Sequence, residues 1–336
     1  MKAAVLHAAN EIRIETVADP VVEPDGIIIK VRACGICGSD LHIYKQGGQA
    51  GTIFGHEFSG DIVEVGPLVK DLSVGQRVTA VGFRPCGKCF WCSQDKPHRC
   101  SDLALVGYQL PGALAEYVSI PLARLGRNVF DLPENLSYEV GATVEPLSIA
   151  LFAVRKAQPK ETETALVFGA GIIGLNSIQV LKALGVKRIL ASGRRPARLK
   201  AALHCGASLS VDASGSEVIK SLLKATSGAG GDLAIECAGV QETFDQAVEL
   251  VRGGGRIMLV GIFEKPLTWD PIKVISKNIT LVGCLGGNFP GALELLQKGL
   301  VDTRPLISHV FPLDRTQEAF QTQLHDQEAI KIVIKN

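Results

Sequence analysis

Apolar positions along the 336-residue chain fall into two textures. Up to about residue 150 they form short β-branched runs over 27–32, 61–65 and 77–81, punctuated by Gly and Pro, which predicts a β-rich region. From about residue 164 strand-like and helix-like segments alternate. Strands are predicted over 165–168, 188–191, 233–236, 256–260 and 279–282. Helices are predicted over 175–184 and through 198–204, with Gly185 and Gly206 as their stops. Such alternation implies a parallel sheet covered by helices on both faces. Beyond residue 286 a helix over 292–298 precedes short β-like pieces that reach 332–334. The stretch 164–181 carries no charge and is close to the length of a bilayer crossing. Its glycines, Asn176, Ser177 and Gln179 instead divide it into a buried strand, a turn and a helix, so no membrane span is expected.

Composition narrows the class. The length suits about two domains. Hydrophobic residues at 46% and charged residues at 21% exclude a disordered chain. A net charge of +1 gives no global field toward nucleic acid or an anionic membrane, and neither is expected as a partner. Six of the nine cysteines lie within the first 100 residues. The opening residues lack the pattern of a secretory signal, so a cytoplasmic, reducing setting is expected, where clustered cysteines read as metal ligands rather than disulfides.

Gly169-Ala170-Gly171-Ile172-Ile173-Gly174 follows a predicted strand and opens a predicted helix. This is the glycine pattern of a dinucleotide turn. Gly169 permits the tight turn, Gly171 lets the backbone approach a pyrophosphate, and Gly174 lets helix and strand pack closely. The free N–H groups and dipole of the helix start then favour phosphate. An acid about 20 residues further on would favour NAD. That slot holds Gly193, followed by Arg194, Arg195 and Arg198. Room plus cations favours the 2′-phosphate of NADP over NAD.

Cys86, Cys89, Cys92 and Cys100 bring four thiolates within a short segment. Four such ligands close a tetrahedral, structural zinc site. An iron–sulfur run would have a different last spacing and a following Pro. A second constellation is dispersed: Cys37, then His56 and Glu57, then Glu145. Each piece alone is ambiguous, but together they offer the sulfur, nitrogen and oxygen donors of a second zinc site.

The segment Gly55-His56-Glu57-x2-Gly60-x5-Gly66, the four-cysteine lobe and the glycine turn occur in one order along the chain. In this the chain resembles the zinc-containing medium-chain dehydrogenase/reductases, the zinc alcohol dehydrogenase superfamily. Cys37-Gly38-Ser39-Asp40-x-His42 and Glu145-Pro146-Leu147 make it most similar to the polyol branch of sorbitol, galactitol-phosphate, butanediol and threonine dehydrogenases.

The resemblance implies an α/β protein with a GroES-like β-rich catalytic domain over 1–147 and 287–336 around a doubly wound Rossmann dinucleotide-binding domain over 148–286. It implies Cys37, His56 and Glu57 as catalytic zinc ligands, with Glu145 binding zinc directly or through water. Asp40 would orient His56, Ser39 would take the substrate proton and His42 would relay it. Cofactor contacts are expected at Gly169, Gly171, Ile172, Ile173, Gly174, Gly193, Arg194, Arg195, Arg198, Ala238, Gly261 and Phe263. Two zinc ions per chain, one nicotinamide cofactor with NADP preferred over NAD, a small alcohol or ketone substrate, and a homodimer or homotetramer complete the expectation. The reaction would be hydride transfer to or from a secondary alcohol of a polyol. The alternatives are a threonine- or butanediol-type dehydrogenase, or a non-enzymatic nicotinamide-binding relative, which would be expected to have lost the zinc ligands. Tyr44, Phe54, Leu110, Phe263, Cys284 and Leu285 stay open between pocket lining and core.

Overall fold

The computed structural model describes residues 1–48, 50–213 and 217–336. The chain divides into two compact units, Met1–Glu145 with Ile307–Asp326 and Lys331–Asn336, and Pro146–Leu306 with Gln327–Ile330.

The first unit is built on a seven-stranded sheet. Strand Ile27–Gly35 is nearly all apolar and lies at its centre, paired antiparallel with Glu57–Val65, Tyr117–Ile120 and Lys331–Lys335. Two pairings position the chemistry. Gly35 lies opposite Glu57, and Gly35 also lies opposite Val333. Cys37 therefore emerges two residues past the central strand, at the sheet end where His56 enters the next strand. Lys331 starts the third strand beside them. The helix Gly38–Gln46 follows at once, with Cys37 as its N-cap and Asp40 closing a capping box by accepting the Cys37 N–H at 2.9 Å.

The second unit carries six parallel strands in the order Leu209–Asp212, Arg188–Gly193, Thr164–Phe168, Gly231–Glu236, Val251–Leu259 and Thr280–Gly283. This is the doubly wound dinucleotide order, whose switch point lies between the third and fourth strands of that row. The uncharged stretch 164–181 is the central strand and the start of helix Ile172–Ala183, as its glycines require. Among the described residues no helix is long and apolar enough to cross a membrane. Strand Leu209–Asp212 was not foreseen, because Ser210 and Asp212 break its apolar pattern and it sits at the edge.

The expected boundary at 286/287 moves to 306/307. Helix Phe289–Gln297 buries Phe289, Ala292, Leu293, Leu295 and Leu296. The Asn288 N–H donates to Ser148 O at 3.1 Å, and the Asp302 N–H donates to Gln179 Oε1 at 2.9 Å, both within the second unit. The apolar face of this helix therefore commits it there.

Gly174 has no room for a side chain. A Cβ at that position would lie 2.0 Å from Gly169 O, a backbone atom of the turn. Gly174→Ala is expected to destabilise the chain by about 1–3 kcal/mol through overpacking, read as a lower urea unfolding midpoint; an unchanged midpoint would refute the close approach.

Candidate active site and cofactor site

Ligand atoms of Cys37, His56 and Glu57 all lie within 4.8 Å of one another. Glu57 is 1% exposed and its carboxylate forms a close ion pair with Lys331, also 1% exposed. Lys331 Nζ also donates to Ile36 O at 2.7 Å. The pair fits only because Gly35 has no side chain, since a Cβ there would lie 2.5 Å from Glu57 Oε2 and 2.7 Å from Lys331 Cε. Asp40 is fully buried and faces His56 Nδ1 at 3.5 Å. With Nδ1 turned to Asp40, Nε2 is the ring nitrogen left for a metal.

Glu145 lies outside that cluster but acts on it electrostatically. Burial, then the Glu57 charge, pushes its carboxyl up to about 7. Burial raises Asp40 as well, against the opposing pull of His56. Burial and then Glu57 raise the Cys37 thiol. Burial disfavours charge on His56, yet Asp40 and Cys37 outweigh it and hold its pKa well above the ordinary value. The buried carboxylates of Asp40 and Glu57, the half-buried Glu145 and the Cys37 thiol thus crowd around one buried lysine. A dication is the partner this donor set lacks, and the residues fit zinc.

Ser39 is buried on the same helix, and His42 follows one turn later on the same face. Sequence reasoning passed over two groups at this centre. One is Lys331. The other is Tyr108, whose hydroxyl donates to Ser39 Oγ at 2.6 Å and whose ring lies 5.1 Å from that of His56. Burial raises the Tyr108 phenol. Tyr44 and Phe54, open between pocket and core, are core: both are fully buried against Phe320, with ring centroids 5.0 and 5.9 Å away.

The four-cysteine lobe is brought together as the spacing implied. Its sulfurs lie within 4.8 Å of one another, with Cys89 Sγ 3.5 Å from Cys92 Sγ and 3.8 Å from Cys100 Sγ. Tetrahedral bonds of about 2.3 Å place sulfurs about 3.8 Å apart, so the lobe fits zinc. The Cys86 and Asp102 N–H groups donate to Cys100 Sγ at 3.2 and 3.4 Å. Backbone donors at Cys92 and Ser101 bring Cys89 down to about 5, while burial and then Cys89 take Cys92 up to about 12.

In the second unit Gly169 has φ +96 and packs against Ala238, where a Cβ would lie 2.9 Å from the Ala238 N. Gly171 is the N-cap of helix Ile172–Ala183 and no side chain caps it. Beyond its missing Cβ only Arg198 Nη1 approaches, at 3.9 Å. That leaves a cradle open to phosphate, with Ile172 and Ile173 supplying the first-turn N–H groups. Ala238 and Gly261 are tied together by Glu236: its Oε1 accepts the Ala238 N–H at 2.8 Å, and its backbone oxygen accepts the Gly261 N–H at 2.9 Å. Phe263 packs on the core of the second unit beside its expected role. At Gly193 a Cβ would lie 2.9 Å from Ala170 Cβ, which leaves no room for an acid. The three arginines differ. Arg194 is paired with Glu242 at 2.5 Å, whereas Arg195 and Arg198 both donate to Ala329 O, at 3.2 and 2.9 Å. Burial and then Arg195 lower Arg198 to about 10, still a cation near neutrality.

A dinucleotide fold that carries such donor sets is the arrangement of a metal-dependent oxidoreductase. Residues 23–133 match the alcohol dehydrogenase GroES-like domain, and residues 173–298 match the zinc-binding dehydrogenase family. Sorbitol dehydrogenase of Bacillus subtilis (strain 168) is 32% identical over 99% of this chain and 97% of its own length. (R,R)-butanediol dehydrogenase of the same organism is 36% identical over 100% and 99%. Among solved structures, a short chain alcohol dehydrogenase from E. coli CFT073 complexed with NADH matches with TM-score 0.91 and 31% identity, covering 100% of this chain and 99% of that one. A zinc-binding dehydrogenase from Sinorhizobium meliloti 1021 bound to NADP matches with TM-score 0.91 and 28% identity, again covering 100% and 99%. The chain belongs to the zinc-dependent alcohol dehydrogenase family of medium-chain dehydrogenase/reductases, in its polyol branch.

Lys331→Met leaves Glu57 buried without its cation. In the zinc-free chain this is expected to cost about 3–5 kcal/mol, and added zinc is expected to recover part of it. Urea unfolding with chelator and with zinc checks both; equal stability of the zinc-free variant and wild type would refute the charge argument.

Proposed function

We propose that the protein is a zinc-dependent dehydrogenase that moves a hydride between NADP and a secondary alcohol or ketone of a polyol or similar small hydroxylated compound. The observation that carries this reading is the cluster of Cys37, His56 and Glu57 beside the buried hydroxyl of Ser39. Zinc, when bound there, supplies a Lewis acid to the substrate oxygen, and the nicotinamide supplies or takes the hydride. The chain's own residues do the rest. Cys37, His56 and Glu57 hold the metal, with Glu145 acting directly or through water. Asp40 fixes the His56 ring, and Lys331 fixes Glu57. Ser39 takes the substrate proton on oxidation and returns it on reduction, and His42 carries it onward. With zinc bound, the dication would be balanced by the Cys37 thiolate and the Glu57 carboxylate, with His56 a neutral ligand.

Polyol chemistry draws support from the sorbitol dehydrogenase and butanediol dehydrogenase likenesses. NADP preference draws support from Gly193, which excludes an acid, from Arg198 beside the glycine turn, and from Arg195, which donates to the same carbonyl as Arg198. The solved neighbours include one with NADH and one with NADP, so likeness alone does not choose. Arg194, committed to Glu242, has the smaller part.

Steady-state kinetics with polyols, diols, threonine and simple secondary alcohols, each with both cofactors, test the reading. Turnover of a sugar alcohol or ketose is expected, with kcat/KM at least about tenfold higher for NADP(H), equivalent to about 1.4 kcal/mol. A higher kcat/KM with NAD(H) sinks the cofactor preference, and no turnover of any sugar alcohol or ketose sinks the polyol class.

Zinc content is a separate check. The two donor sets predict two zinc ions per chain, falling to one in Cys100→Ser. One ion in the unaltered protein would refute a site.

A further inference from the structure

Tyr108 makes two contacts at the donor cluster, and the reading above gives it no part. It sits in a turn just after strand Ala104–Leu105, where the N–H groups of Tyr108, Gln109 and Leu110 all donate to Leu105 O. That turn is clamped to the segment before His56. Gly107, at φ +85, passes so close that a Cβ would lie 2.8 Å from Gly55 O, and the Ala113 N–H donates to the same oxygen at 2.9 Å. The ring is therefore held against His56, and the hydroxyl is held on Ser39 at 2.6 Å.

We propose that Tyr108 is a positioning residue for proton transfer, acting through Ser39; this rests on the proposed dehydrogenase reaction. A serine hydroxyl has one proton and two lone pairs. By donating to one lone pair, Tyr108 leaves the Ser39 proton free for a substrate oxygen or for His42. In ketone reduction the carbonyl carbon receives the hydride of the reduced nicotinamide. The carbonyl oxygen receives the Ser39 proton as the Ser39 O–H bond breaks. Ser39 regains a proton from His42, which is replenished from water. Negative charge develops on Ser39 Oγ during this exchange, and the Tyr108 hydrogen bond strengthens as it does so. Oxidation runs the same steps backwards.

Tyr108→Phe removes the donor and keeps the ring on His56. The expected result is a fall in kcat of about 100-fold, the loss typical of one donor to a developing negative charge. KM values for alcohol and nicotinamide are expected to stay within about twofold and zinc per chain to be unchanged, while the solvent deuterium isotope effect on kcat rises. In a Ser39→Ala background the same change is expected to cost less than about twofold, because the two residues act as one unit. Three results overturn the proposal: Tyr108→Phe with wild-type kcat and isotope effect, Tyr108→Phe that loses zinc (which would make the ring's support of His56 the whole role), or an equal loss in the Ser39→Ala background. Wild-type kcat in Ser39→Ala alone overturns the proton role of Ser39, and the Tyr108 role falls with it. Unfolding midpoints and zinc contents of all variants separate these outcomes from failure to fold.

Discussion

The buried ion pair between Glu57 and Lys331 is the constraint around which the first unit is arranged. A lysine and a glutamate that are each 1% exposed lose nearly all their hydration, a penalty of several kcal/mol per ion that only close pairing and further hydrogen bonds offset. The carbonyl of Ile36 supplies one of those bonds. The absence of a side chain at Gly35 supplies the space. Those two residues lie immediately before Cys37, so the backbone that satisfies the lysine is the backbone that presents the thiol. Stability of the sheet end and presentation of the donor cluster are therefore one arrangement.

The same reasoning separates the two donor clusters. The four-cysteine lobe is local: its cysteines fall between residues 86 and 100, and the N–H groups of Cys86 and Asp102 orient the Cys100 sulfur. The Cys37, His56 and Glu57 set is assembled by sheet register, with Gly35 opposite Glu57 bringing two distant segments to one end. Asp40 then does double duty, closing the helix cap and facing the His56 ring. A helix terminus and the His56 ring share a carboxylate that is fully buried.

Legibility from sequence followed this division. The local features were readable: the glycine turn, the four-cysteine spacing and the strand–helix alternation each lie within a short window with a fixed period or spacing. The donor residue types Cys37, His56 and Glu57 were readable from motif and resemblance. Their electrostatic support was not. Lys331 stands in the apolar stretch Ala329-Ile330-Lys331-Ile332-Val333-Ile334, where a single charge reads as an edge residue until pairing with strand Ile27–Gly35 places it beside Glu57. Tyr108 lies in an irregular turn with no periodicity to mark it. Arg194 looked equivalent to Arg195, and only the position of Glu242 sets them apart. The boundary after 286 was misplaced because helix Phe289–Gln297 looks alike in either unit until its apolar face is seen packed.

Chain order gives the ion pair a further consequence. Lys331 stands 274 positions after Glu57, and the whole second unit lies between them. The strand that carries the lysine pairs with the central strand only after the chain has returned from the parallel sheet. Loop-closure entropy grows only slowly with length, so such a return costs little in equilibrium stability. What it adds is dependence: Glu57 is compensated by protein alone only when the final strand is in place. The Cys37, His56 and Glu57 set is thus tied to completion of the fold, whereas the four-cysteine lobe has every donor within its own segment. Of the two donor clusters, it is the Cys37, His56 and Glu57 set whose charge balance requires the whole chain.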